Sequence, residues 1–82
     1  MTQEQILERV QLIFRECFDN DTLVIERSTT AKDVENWDSL NHVNLLAAIE
    51  KEFGFEFTLT EMGGLKNVGE MLDLIHQILS DK

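Results

Sequence analysis

Asp38-Ser39-Leu40 stands where a long irregular stretch gives way to helical periodicity, and it is the place where residue types most invite chemistry. A serine there has two readings. In the plain one, Asp38 and Ser39 satisfy the unpaired N–H groups that open any helix. In the chemical one, the Ser39 hydroxyl is presented for modification. A phosphodiester on it would lie at the positive end of the helix dipole, among free N–H donors. A hydrolytic triad of Asp38, Ser39 and His42 or His76 has the residue types without the setting. There is no Gly-x-Ser-x-Gly elbow and no evident oxyanion loop, and Asp38 adjoins Ser39 directly.

The remaining candidates read more simply. His42 falls on the core arc of the middle helix, in its first turn, which predicts a partly buried, neutral packing residue. His76 lies at the flank of the last helix, where it is expected to be solvated. Asp19-Asn20-Asp21 invites a calcium reading but lacks the alternating oxygen ligands, central glycine and closing glutamate of an EF-hand loop, so a polar helix exit is the simpler expectation. Cys17 sits on the apolar stripe of the first helix and is expected to be an inert buried thiol. As the sole cysteine it excludes an internal disulfide and a thiolate zinc cluster, and it is compatible with a reducing, cytoplasmic setting. Trp37, directly before Asp38, is expected to anchor the loop that leads to Ser39.

The elements that must position these residues are helical, and no proline interrupts them. Ile6, Val10, Ile13 and Cys17 form one stripe, widened by Leu7, Phe14 and Phe18, with Leu12 outside it and a Thr2/Gln5 capping box at the start. Val68, Leu72, Ile75 and Leu79 form a second stripe. Asn67 is its N-cap, and Glu70 stands three residues later, where a capping carboxylate belongs. The middle helix runs from Asp38-Ser39 to about Phe53, where Gly54 supplies a stop. At about 100° per residue, Leu45, Leu46, Ile49 and Phe53 share a core arc. Leu40, Val43 and Ala47 fall in another arc, roughly opposite, with Ser39 at its edge. That second strip is either ordinary exposed apolar surface or a docking strip.

Phe53-Gly54-Phe55-Glu56-Phe57 reads as an extended link burying two aromatics. Thr58 and Glu61 cap a short helix that Gly63-Gly64 ends. Residues 19–38 lack periodicity, but Leu23, Val24, Ile25, Val34 and Trp37 are expected to pin them, and Thr30 with Asp33 to cap a single turn. The expected fold is all-α: one domain over residues 1–82, a small bundle of three major helices and one short helix, with a long ordered loop between the first and second helices.

Eighty-two residues support one core and not also a deep, water-excluding catalytic cleft. A net charge of −9 argues against binding nucleic acid or an anionic membrane. Residues 19–38 hold −4 of it, from six acids against two bases, whereas residues 41–49 carry no formal charge. The polar, acidic N-terminus has no secretory pattern, and no apolar run approaches a membrane span.

Trp37-Asp38-Ser39-Leu40, followed by the helix ending Ala48-Ile49-Glu50-Lys51-Glu52-Phe53-Gly54, a short helix, and a last helix opening Val68-Gly69-Glu70, resembles an acyl carrier protein over essentially the whole chain. The resemblance implies that Ser39 takes 4′-phosphopantetheine from coenzyme A by the action of a separate, Mg²⁺-dependent phosphopantetheinyl transferase. The arm's thiol then holds acyl groups as thioesters for partner enzymes, and the carrier itself is no catalyst. It implies that Asp38 assists modification as well as capping the helix, and that Leu40, Val43, Ala47 and Glu50 face acyl-loading and acyl-transferring enzymes with basic docking surfaces. A monomer is expected.

Two departures qualify the resemblance. Carriers of fatty acid synthesis usually have acids where this sequence has Asn41 and Asn44, and Lys51 replaces another. Peptide synthetase carriers resemble the family too but typically have Gly-Gly before the serine region, where this chain has Glu35-Asn36-Trp37-Asp38, which favours the acyl branch. Together these point to a free-standing carrier of a specialised pathway, such as a small polyketide, modified lipid or surface polysaccharide route. A helical interaction module that keeps the fold without the modification is the alternative.

Overall fold

The computed structural model describes residues 2–81. It contains α1 (Gln3–Cys17), α2 (Ser39–Phe53), α3 (Leu59–Gly63) and α4 (Val68–Ser80), and no strand among the described residues. The fold is all-α, with three major helices, one short helix and a long loop between α1 and α2.

Each helix begins where its cap chemistry begins. The Thr2 side chain accepts the Gln5 N–H while the Gln5 side chain accepts the Thr2 N–H, so two orphan donors are met reciprocally. Thr58 and Glu61 repeat this box on α3. Asp38 caps α2, and Gly54 ends it in the left-handed region at φ 75°. Asn67 caps α4, but Glu70 does not complete a box there. Its carboxylate accepts the N–H of Lys66, one residue earlier than the cap (2.9 Å).

α1 packs against both α2 and α4. Ile6, Val10 and Phe14 meet Leu45, Leu46 and Ile49 of α2 and Val68, Met71 and Ile75 of α4 in one core, all of them fully buried. Truncating one of these large aliphatic residues to alanine costs about 2–5 kcal/mol, so this core holds the bundle. The extended link behaves as its alternation predicts: Phe55 and Phe57 are buried and meet edge to face at 4.9 Å, with Glu56 outside. Glu50 fixes that link, because its carboxylate accepts the Phe57 N–H at 2.7 Å.

The long loop is ordered by two kinds of attachment. Its first part runs along α1: Ile25 N–H donates to Gln11 Oε1 (3.1 Å), and Arg15 Nε donates to the Leu23 carbonyl (2.8 Å). It then closes on the start of α4, where the N–H groups of Val68 and Gly69 donate to the carbonyls of Thr29 (2.9 Å) and Arg27 (2.8 Å). A Cβ on Gly69 would stand 3.0 Å from that Arg27 oxygen, so glycine permits the approach. The Arg27 guanidinium reaches both carboxylate oxygens of Asp73 and the Gln3 side chain.

Two sequence expectations need correction. Val24 is 66% exposed and anchors nothing: backbone extended between inward Leu23 and Ile25 turns the middle residue to solvent. Cys17 is half-buried, because it ends α1 where the stripe runs out. Its thiol is nevertheless pushed above its ordinary value, first by burial and then by Glu16, which keeps it protonated and unreactive.

Candidate functional site

The site is built on the first turn of α2. Asp38 Oδ1 accepts the Asn41 N–H (2.9 Å), and the Asp38 N–H donates to the Asn36 carbonyl (3.0 Å). Ser39 is the first residue of the helix and is exposed, its N–H among the uncapped donors of the first turn. Beside it opens a cavity of about 390 Å³, walled by the loop (Ala31, Trp37, Asp38), by α2 (Ser39, His42) and by α3 and its exit (Met62, Gly63, Leu65, Lys66).

Trp37 anchors the approach as the sequence predicts. It is 7% exposed, edge-on to Phe14 at 5.1 Å and 6.4 Å from the Phe18 ring. Its indole N–H donates to His42 Nδ1 (3.0 Å), with the two rings nearly parallel at 5.9 Å. The other ring nitrogen of His42 faces the Met62 carbonyl at 3.3 Å. His42 is therefore the half-buried packing residue that its position predicts, and it also bridges three segments. Both its nitrogens are engaged away from Ser39, and His76 is on α4 near Asp73, so no Ser–His pair forms. The triad lacks its relay.

Asn41 was singled out in the sequence only as a missing acid. Its side-chain amide donates to the Asn36 carbonyl at 2.6 Å, and Asn36 itself lies in the left-handed region at φ 71°. A carboxylate cannot donate that bond, so asparagine here has an internal reason.

Of the remaining site residues, Leu40 (72% exposed), Val43 (58%) and Ala47 all face solvent, on the side of α2 away from Leu45, Leu46 and Ile49. Glu50 is half-buried, with one carboxylate oxygen engaged by Phe57. Leu59, at the start of α3, is 87% exposed, and its single position in a short helix gave no periodicity from which to foresee this. Asp19 and Asp21 are exposed at the exit of α1, where Asn20 closes a turn onto Thr22. No group of three or more ligating side chains able to hold a metal is assembled among the described residues.

An exposed serine opens an aspartate-capped helix beside a mixed cavity in an acidic four-helix fold, the arrangement that the resemblance to acyl carriers leads one to expect. Known proteins agree. Residues 8–75 match the family described as the phosphopantetheine attachment site. An acyl carrier protein of Thermosynechococcus vestitus is 39% identical over 77 residues, covering 93% of this chain and 94% of its own. One from Coprothermobacter proteolyticus is 32% identical over 87 positions, spanning both chains fully. The solution structure of the holo acyl carrier protein from Geobacter metallireducens superposes with a TM-score of 0.85 at 41% identity, covering 92% of this chain and 86% of that one.

The chain belongs to the phosphopantetheine-binding acyl carrier protein family. It is a non-catalytic carrier of acyl groups whose prosthetic group is phosphopantetheine, and the family implies a phosphopantetheinyl transferase and acyl-handling enzymes as partners. Among the described residues no helix is long and apolar enough to cross a membrane.

Proposed function

We propose that Ser39 is the attachment residue. The observation that carries this reading is the exposed Ser39 hydroxyl at the first position of α2, at the rim of the 390 Å³ cavity. The site fits the group. The phosphodiester would lie at the positive end of α2 near its uncapped N–H donors, and the cavity offers Met62 and Leu65 to the apolar part of an arm. When bound, the arm supplies a terminal thiol for thioester exchange. Asp38 caps the first turn of α2, on which Ser39 stands, and in this reading also assists the modification step.

Leu40, Val43 and Ala47 form the docking strip in this reading. A small apolar strip with acidic surroundings favours brief, steered encounters with basic partners over tight complexes, and it suits a monomer in a reducing cytoplasm. Glu50 contributes with the oxygen that does not serve Phe57. Support for a specialised pathway rests on Asn41, Asn44 and Lys51, and the bond from Asn41 to Asn36 leaves most of that weight on the other two.

The test is intact mass after incubation with coenzyme A and a broad-specificity transferase. One phosphopantetheine adduct is expected on the wild type and none on Ser39→Ala. An unmodified wild type, under conditions that modify a control carrier, would sink the reading and favour an interaction module. Leu40→Glu should fold and melt like the wild type yet load or transfer acyl groups about tenfold more slowly, the factor set by losing one apolar contact of about 1.4 kcal/mol. Unfolding instead would mean that the strip is core.

A further inference from the structure

We propose that His42 is a positioning residue for the modified serine, and that it works only in its neutral form. This rests on the reading of Ser39 above and concerns what holds that site in place.

The argument begins with the tryptophan. An indole nitrogen can only donate a hydrogen bond. Trp37 Nε1 lies 3.0 Å from His42 Nδ1, so Nδ1 must be the unprotonated nitrogen. A neutral imidazole then carries its proton on Nε2, and that atom faces the Met62 carbonyl, an acceptor, at 3.3 Å. One tautomer satisfies both contacts, and the other satisfies neither.

The consequence is mechanical. Trp37 is two residues before Ser39, His42 three residues after it, and Met62 lies on α3. All three line the cavity that Ser39 borders. The bridge fastens the loop and α3 to α2, and so sets the spacing of the walls at the root of the arm. The apolar attachment on the α3 side is thin: α3 has no fully buried residue, and Met62 packs against the core only half-buried, so the bridge adds a second fastening there.

A second proton on the ring, taken from solvent, lands on Nδ1 and sets a donor against the indole donor. The link to Met62 survives and the link to Trp37 is lost. The charged groups sharing this space are few. Asp38 and Lys66 line the same cavity with opposite charges, and Glu61 on α3 has its carboxylate on the Thr58 N–H. From α1 the bridge meets Phe14 and Phe18, which are uncharged.

The experiment uses the unmodified protein, so that it stands apart from the attachment test. ¹⁵N NMR follows His42, His76 and the single indole N–H from about pH 8 to 5, the window in which histidines titrate. The expected result is His42 as the Nε2–H tautomer at the upper end, with the Trp37 indole and the amides around Met62 shifting in step with His42 and not with His76. Ser39→Ala should behave identically. The functional arm compares modification rates. His42→Gln, whose amide can both accept and donate without titrating, should keep its rate across this window relative to a control carrier. His42→Phe should be about fivefold slower than the wild type at the upper end of the range, the factor that one lost hydrogen bond supplies, and the wild type should slow only where its His42 resonances report a protonated ring. An Nδ1–H tautomer, an indole resonance blind to His42 titration, or a folded His42→Phe with the wild-type rate overturns the proposal. Should His42→Phe not fold, the wild-type titration and His42→Gln decide alone.

Discussion

The two halves of the long loop are held in different ways. Residues 23–29 are fastened by backbone carbonyls: Leu23 receives Arg15, while Arg27 and Thr29 receive the opening N–H groups of α4. Residues 34–38 are held through side chains, by the buried Val34 side chain and Trp37 ring, the His42 bridge, and the Asn41 bond to Asn36. The first half depends on close approach and on an arginine whose Nη2 reaches both oxygens of Asp73 while Nη1 reaches Gln3. The second depends on the identity of a few polar side chains around one helical turn. The half that carries no chemistry is thus tied to the frame, while the half leading to Ser39 is tied to a few side chains that can be exchanged one at a time.

The contrast can be broken from either side. The largest effect is expected at Gly69. Gly69→Val forces a side chain against the Arg27 carbonyl, and overpacking of this kind costs about 1–3 kcal/mol, only partly offset by better helix propensity. Thermal melts should show the loss, while modification of Ser39 well below the melting temperature stays at the wild-type rate. If modification falls as far as stability, the halves are not independent. Next comes Asn41→Asp, which removes the donor to Asn36. A loss of about 1 kcal/mol in denaturant midpoint is expected, together with perturbed amide resonances at residues 36–39 and unchanged ones at 25–29.

The smallest effect belongs to Arg27→Met. Asp73 is held below the ordinary carboxylate range, chiefly by the Arg27 hydrogen bonds, against slight desolvation and aided by the Arg27 charge, Gln3 and His76. Its folded value lies below its unfolded one. The bridge therefore adds stability above about pH 4 and loses it as pH falls through the folded value. Both partners are half-exposed, so less than about 1 kcal/mol is at stake. Melting temperatures of wild type and variant should differ at neutral pH and converge in acid.

What was legible in the sequence follows the same divide. Helix starts could be read because caps act between residues three apart, and Thr2, Asp38, Thr58 and Asn67 all cap where their spacing places them. The second apolar strip of α2 could be read because a helix turns by a fixed angle. The Ser39 site was legible as a motif. Its supports were less so, since Trp37–His42 and Asn41–Asn36 join a helix to an aperiodic stretch whose path no local rule gives. The Gly69 approach to Arg27 spans 42 positions and leaves no local signal. Val24 was misread because apolar character alone does not say which way an extended residue points. Glu70 was placed at the right end of α4 but reaches past the cap to Lys66.

Cys17 has a consequence for the reagents one would use on this carrier. A half-buried thiol held in its protonated form by burial and by Glu16 reacts slowly with alkylating agents and disulfides. A pantetheine thiol exposed to solvent would have no such protection. At neutral pH a thiol-directed label should therefore separate holo from apo protein kinetically, with no need to mutate Cys17.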